Sequence, residues 1–262
     1  MNLVSIITPT YNRPQLLERA IESVLNQTMT DWEMIIIDDS TNSETQEFIK
    51  KYQNHPQITY LKNDKNEGLP FSRNRGFDLA KGEWITMLDD DDLYIDKDSL
   101  KKVWGILQNA TEINWVVCST VNNNDTVRTK ALIKKDSYNW LSDFLFGKSF
   151  RGDAVHFFRR LWLGETRYHG EHRTEWYFWY DLSKKSNFVY QELPVVLVEY
   201  LPDGMSNLGY LKKERVYLYQ QFFEMLKNIS TWKYLPIIIA RYIISFSFPR
   251  KIFVWFKQRR AS

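Results

Sequence analysis

The run Trp84-Ile85-Thr86-Met87-Leu88-Asp89-Asp90-Asp91-Asp92 holds the densest chemistry in the chain: an apolar stretch of strand character leading into four consecutive carboxylates. Like charges packed this closely favour protonation unless a cation or a cationic ligand offsets them. Carboxylate oxygens are hard ligands that suit Mg²⁺ or Mn²⁺, and such ions commonly sit between protein carboxylates and substrate phosphates. One Asp could ligate a metal directly and another through water. An acidic turn with a helix cap is the plainer alternative, but it needs one or two Asp and not four.

Three smaller groups accompany this run. Asp38-Asp39-Ser40 follows the apolar run Met34-Ile35-Ile36-Ile37. A carboxylate there could accept from a base N–H or a ribose hydroxyl, or it could cap the helix that starts a few residues later. Arg73 and Arg75 lie two apart on a helical segment and so point in different directions. One could reach a diphosphate with its fork of donors while the other pairs with a carboxylate. In His169-Gly170-Glu171-His172-Arg173-Thr174-Glu175, the pairs Glu171/Glu175 and His172/Glu175 share helical spacing. Such a group could act as a general base or hold a second ion; a Glu-rich helix start is the ordinary reading.

The elements that must position these residues are legible from periodicity. Leu3 to Thr8 reads as a strand ending at Pro9, and Leu16, Leu17, Ala20, Ile21, Val24 and Leu25 recur at helical spacing after Pro14. Met34–Ile37 has the uninterrupted β-branched pattern of a strand covered on both faces. A helix starts near residue 43, Ile58 to Leu61 is a strand, Gly68 to Ala80 is a helix closed by Gly82, and Trp84 to Leu88 is the fourth strand. A helix from Asp98 or Ser99 to Gln108 and a strand from Ile113 to Ser119 follow. This alternation predicts βαβ units and a mostly parallel sheet. Right-handed crossovers then bring Thr8-Pro9-Thr10, Asp38-Asp39 and Asp89–Asp92 to one edge, where open α/β sheets bind ligands. From Asn122 to Gly170 the pattern is weak. Beyond it, Glu175–Leu182 and Leu208–Lys227 read as helices, and Phe188–Tyr190 and Pro194–Glu199 as strands.

At 262 residues, with 44% hydrophobic and 26% charged residues, the composition is that of an ordinary folded protein with one large core, or a domain and an appendage. The single cysteine, Cys118, excludes an internal disulfide framework and fits a reducing compartment. No basic, apolar leader precedes the first strand pattern, which points to a cytoplasmic location. The net charge of +3 conceals an asymmetry: from Met225 onward there are eight Lys or Arg and no acid, so residues 1–224 carry −5. The basic groups alternate with bulky apolar ones, as in Ile252-Phe253-Val254-Trp255-Phe256-Lys257. That favours an anionic membrane surface over nucleic acid, with helices packed on the body as the alternative. The run Ile237–Ile244 is too short, and broken by Arg241, for a membrane span.

The order and spacing of several motifs resemble glycosyltransferase family 2, enzymes of the GT-A fold that use nucleotide-diphosphate sugars. These motifs are Val4-Ser5-Ile6-Ile7-Thr8-Pro9-Thr10-Tyr11-Asn12, Gln27-Thr28, Trp32-Glu33 leading to Ile37-Asp38-Asp39-Ser40, Asn66-Glu67-Gly68, Ser72-Arg73-Asn74-Arg75-Gly76, Ala80-Lys81-Gly82-Glu83-Trp84-Ile85 and Leu88–Asp92. The likeness covers roughly residues 3–120, then thins until Thr174-Glu175-Trp176-Tyr177-Phe178 and Leu193-Pro194. It implies a Rossmann-like, mostly parallel central sheet flanked by helices, with a helical C-terminal extension. The divisions it implies are a nucleotide-sugar-binding half (1–120), an acceptor-binding and catalytic-base half (121–224) and a basic amphipathic tail (225–262).

By the same resemblance, Thr8, Pro9, Tyr11 and Asp39 line the base pocket, with Asp39 bonding to the base and Asp38 supporting that loop, and Arg73 approaches the base or the diphosphate. Asp89, Asp90 and Asp91 match the D-x-D signature: Asp90 touches the ribose or sugar side and Asp91 the Mg²⁺ or Mn²⁺. The family's catalytic base is the Asp of a Glu-Asp pair before an aromatic. Here that position is Glu175, on a longer stem and after Thr174, with Glu171 as the rival. The implied activity is inverting transfer of single sugars from a nucleotide donor, UDP being the commonest base, to a glycan or lipid-linked acceptor in surface polysaccharide synthesis. The enzyme is then expected peripherally on the inner face of the cell membrane. Two other classes stay open: a nucleotidyltransferase, against which Thr8–Asn12 offers neither Gly nor Lys, and a noncatalytic carbohydrate- or nucleotide-binding protein.

Overall fold

A computed structural model describes residues 4–145, 149–169, 175–199 and 235–236. The chain divides into two compact units, Met1–Leu208 and Gly209–Ser262; every element named below belongs to the first. The expected helix at Leu208–Lys227 and the basic tail lie outside the described residues, apart from 235–236. Among the described residues no helix is long and apolar enough to cross a membrane.

The first four strands, β1 (Val4–Thr10), β2 (Trp32–Asp38), β3 (Ile58–Lys62) and β4 (Trp84–Met87), alternate with α1 (Pro14–Leu25), α2 (Glu44–Ile49) and α3 (Leu69–Leu79) as periodicity predicts. Proline suits the first position of α1 because its missing N–H is one that a helix start leaves unpaired. Leu17, Ala20, Ile21 and Val24 then fall on one buried stripe. β1 and β2 are buried along their whole length. Successive strand residues face opposite ways: Ile6 joins the core built with α1, while Ile7 meets Gly76 of α3. A Cβ at Gly76 would lie 2.3 Å from Ile7 Cγ2, so only glycine lets α3, which carries Arg73, sit this close to β1.

The rest of the unit adds β5 (Leu93–Tyr94), α4 (Ser99–Leu107), β6 (Trp115–Val121), a two-stranded ribbon of β7 (Lys130–Ala131) and β8 (Phe150–Arg151), β9 (Ala154–Arg159), α5 (Arg160–Leu163), α6 (Glu175–Lys185) and β10 (Val189–Leu197). The large sheet runs β3-β2-β1-β4-β9-β6-β10-β5. Here the expectation of a mostly parallel sheet needs correction, because the sheet is mixed. The first four strands are mutually parallel, but β9 enters antiparallel between β4 and β6, and β5 pairs antiparallel with β10 at the far edge. The difference lies in the connection: β6 returns as β9 after an excursion through β7, a short helical segment at Trp140–Leu145 and β8, in place of a βαβ crossover. The two strands expected at 188–190 and 194–199 are one strand, whose register against β6 shifts on either side of Pro194. A proline cannot donate to the ladder, so it sits at an irregularity.

Candidate functional site

Parallel strands place β1, β2 and β4 so that their C-terminal ends converge, and the loops that follow carry the polar residues. After β2, Asp39 is buried, and its carboxylate accepts from Asn63 Nδ2 (2.7 Å) and the N–H groups of Glu67 (2.9 Å) and Gly68 (2.7 Å). Gly68 has φ +89°, a conformation open to glycine, and this presents its N–H to Asp39 at the start of α3. Asp38 accepts from Ser40 N (2.9 Å) and Tyr60 Oη (2.6 Å), with Lys62 at 3.7 Å. Neither Asp caps α2, whose N-cap position is Ser43; Asn42 Oδ1 accepts from Glu44 N instead. The two carboxylates thus order the loop around the strand ends. A carboxylate has room for about four hydrogen bonds, so Asp39 keeps capacity for one more.

After β4, the acidic run turns across the same edge. Arg73 Nη2 donates to Asp89 (2.9 and 3.3 Å), Thr10 Oγ1 donates to Asp90 (2.7 Å), and Arg13 Nη1 lies 3.4 Å from Asp90 and 3.2 Å from Asp91. Asp92 takes the backbone N–H of Glu199, which ties the loop to the end of β10. Two guanidiniums therefore face four carboxylates. Burial pushes Asp90 up to about 7; the Thr10 hydrogen bond and Arg13 pull it down, while Asp91 pushes it further up. Burial, then Asp89, raises Asp91 against the pull of Arg13, and burial with Asp89 and Asp91 raises Asp92 well above the ordinary carboxylate range. Among the described residues this cluster is short of positive charge.

A cavity of about 360 Å³ opens beside the loop, with Arg73 and Asp89 on one wall and Asp153, His156, Trp140 and Trp179 on others. β9 is antiparallel, so its first residues, not its last, reach this edge: Ala154 pairs with Ser119 near the end of β6. Of the residues expected to line a base pocket, Tyr11 is 44% exposed, whereas Thr8 and Pro9 are buried in β1 and the Thr8 hydroxyl has no hydrogen-bond partner among the described residues. Arg75 turns the other way, donating to Lys62 O (3.3 Å) and to Asn63 Oδ1. Glu175 opens α6, but its side chain, and all of Glu171 and His172, lie outside the described residues.

The sequence model of Glycosyl transferase family 2 matches residues 5–166, well over half of the chain. The chain belongs to glycosyl transferase family 2. It is 31% identical over 239 residues to a Campylobacter jejuni GalNAc(5)-diNAcBac-PP-undecaprenol beta-1,3-glucosyltransferase, covering 87% of this chain and 75% of that one. Among solved structures it resembles S. aureus TarS in complex with UDP-GlcNAc (TM-score 0.66, 17% identity, 79% of this chain and 61% of that one). It also resembles the mannosyltransferase PcManGT of Pyrobaculum calidifontis in complex with GDP-Man and Mn²⁺ (TM-score 0.63, 17% identity, 93% and 70%). At these identities the structural likeness establishes the GT-A type of fold. The chain spans less than two thirds of several relatives, including the TarS fragment and an Escherichia coli protein named for colanic acid biosynthesis, of which the match covers 33%.

As a family 2 glycosyltransferase, the chain also brings to the candidate site residues that its sequence motifs did not single out. Arg13 follows directly on the first motif, and its position just before the helix-opening Pro14 was the available signal; its partners lie 77 and 78 residues away. Asp153, His156 and Trp140 belong to segments with no motif signal, and Trp179 lies just past the motif that ends at Phe178. Among the described residues no group of three His, Cys, Asp or Glu is placed to cage a metal. The donor set nonetheless fits a hard divalent cation. Mg²⁺-like ions take one or two carboxylates and share the rest of their shell with phosphates and water, and among the described residues buried Asp90 and half-buried Asp91 have less than full compensation.

Proposed function

We propose that this glycosyltransferase moves a single sugar, with inversion, from a nucleoside diphosphate sugar to a glycan or lipid-linked acceptor in surface polysaccharide synthesis. The observation that carries this reading is the undercompensated acidic loop at the β4 end, facing a cavity that Arg73 and Asp89 share with an aromatic wall. In this reading Asp91, with Asp89 or Asp90, holds Mg²⁺ or Mn²⁺, which supplies Lewis-acid stabilisation of the leaving diphosphate. Arg73 and Arg13 exchange carboxylate partners for diphosphate oxygens, so that charge developing on the leaving group meets donors already in place. Asp39 keeps the loop 63–68 shaped around the base and offers its remaining lone pair to a base N–H, beside Tyr11. Glu175 takes the proton of the acceptor hydroxyl as it attacks the anomeric carbon from the side opposite the diphosphate. One displacement of this kind inverts the anomeric centre. UDP is the base we favour, since TarS was solved with UDP-GlcNAc, although PcManGT was solved with GDP-Man.

The basic segment after Met225 would hold the enzyme at the inner face of an anionic membrane, close to lipid-linked acceptors. Screening UDP-, GDP-, CDP- and dTDP-sugars with and without Mn²⁺, by thermal shift and by transfer to lipid-linked acceptors, tests the central reading. Asp91→Asn should abolish the metal-dependent part of the signal, and Glu175→Gln should abolish transfer while sparing donor binding. Metal-dependent turnover intact in Asp91→Asn refutes the metal assignment. Near-normal transfer by Glu175→Gln, with loss in Glu171→Gln, moves the base to Glu171.

A further inference from the structure

His156 stands at the mouth of β9, in the cavity wall, and the reaction above gives it no role. Trp115 Nε1 donates to its Nδ1 at 3.0 Å. An indole nitrogen can only donate, so Nδ1 must present its lone pair and the neutral ring must carry its proton on Nε2. Trp179 stacks on the ring, with centroids 4.1 Å apart at an interplanar angle of 28°. Trp115 lies against it from another side, at 5.8 Å. Burial in this aromatic setting pushes the imidazole down to about 3, so it stays uncharged throughout the physiological range. The Nε2–H has no hydrogen-bond partner among the described residues, while the ring forms part of the cavity wall.

These facts restrict what His156 can do. With its proton on Nε2 it has no lone pair to offer the cavity, so it is neither the general base nor a metal ligand. The opposite tautomer would set two N–H groups against each other across the Trp115 contact. What remains is a rigid, neutral donor, and a donor set beside Trp140 and Trp179 in a wall that also holds carboxylates and apolar side chains fits an oxygen of a pyranose. Tryptophan faces accept the apolar C–H face of such a ring, and its hydroxyl or acetamido oxygens accept from the N–H. The same cavity is walled by Arg73 and Asp89, on the diphosphate side, so the pyranose that enters it is the one attached to the diphosphate.

We propose that His156 is a sugar-reading residue, a fixed Nε2–H donor to an oxygen of the transferred hexose. The inference rests on the nucleotide-sugar reading above and deepens it. The test uses the full chain and two variants, His156→Phe and His156→Gln, titrated with the nucleotide sugar selected by the donor panel and with the matching bare nucleoside diphosphate, both with Mn²⁺. Phe keeps the stack but removes the donor; Gln can accept from Trp115 and still donate. Affinity of His156→Phe for the nucleotide sugar should fall about tenfold, the scale of one neutral hydrogen bond, with bare nucleotide binding unchanged. His156→Gln should stay within about threefold of wild type, since its amide restores the donor.

Unchanged bare-nucleotide affinity also shows that the variant is folded. An equal loss for sugar and bare nucleotide, no loss for either, or a change confined to the acceptor KM would overturn the inference while leaving the donor reading standing. Should wild type bind no nucleotide sugar of the panel, the donor reading itself is refuted and this inference with it.

Discussion

Removing one charge from the acidic loop should stabilise the ligand-free enzyme, and the gain should grow with pH. Asp90 is 5% exposed, and burial lifts its carboxyl from 3.8 to about 7. Between those values the folded chain holds a proton that the unfolded chain has lost, so stability falls as pH rises through the window. The shift of about three units corresponds to roughly 4 kcal/mol at pH values well above 7, of which about 3 kcal/mol develops between about pH 5 and pH 8.5. Asp90→Asn removes this term while leaving an oxygen to accept from Thr10 Oγ1 at nearly the same place. The variant should therefore gain about 2–3 kcal/mol on wild type between those two pH values. Urea unfolding followed by tryptophan fluorescence, extrapolated linearly at each pH, measures the difference. A gap between variant and wild type that stays constant with pH, or narrows as pH rises, would refute the reasoning. Asp96→Asn serves as the contrast: Lys102 holds that exposed carboxylate below its ordinary range, so its contribution has the opposite sign and is lost as pH falls.

Gly76→Ala should destabilise by about 1–3 kcal/mol through overpacking against Ile7, and should weaken nucleotide binding because α3 carries Arg73; chemical denaturation and a nucleotide titration check the two effects. Glu33 is buried and accepts from Ser5 Oγ (2.6 Å), Lys81 N (2.6 Å) and Gly82 N (3.1 Å), so Glu33→Ala should cost about 2–4 kcal/mol by removing the acceptor of Ser5 Oγ and Lys81 N, visible as a lower denaturation midpoint; Gly82 N keeps Ser5 Oγ (2.8 Å). Cys118 is fully buried in β6 and burial pushes its thiol up to about 12. It should resist alkylation by iodoacetamide in the native enzyme and react only at the rate of unfolding; rapid native labelling would contradict its placement.

Much of the chain up to β4 is legible from sequence because its information is local. Apolar runs and a helix-opening proline set strand–helix alternation through β4, and that alternation alone sends Asp38, Asp39 and Asp89–Asp92 to one edge. The four carboxylates at the β4 end pose, by residue type alone, a charge problem that a cation would answer. The second half resisted for the opposite reason. Residues 122–153 leave the sheet and come back, and nothing local in Ala-Val-His-Phe-Phe-Arg says that β9 will run antiparallel between β4 and β6.

That reversal is what tertiary structure decided. It turns the start of β9, rather than its end, toward the acidic loop, and so sets Asp153 and His156 beside Asp89 across one cavity. It also sets Trp115 against His156, 41 residues apart, and thereby fixes a tautomer that no residue type specifies. Arg13 shows the same division on a smaller scale: the chain places it after the first strand, but only the convergence of β1 and β4 makes it the counter-charge of Asp90 and Asp91. Residue types and their periods determined which chemistry could occur and at which strand ends. Long-range pairing determined which of those groups meet, because proton position, charge compensation and cavity shape depend on neighbours that are distant in the chain.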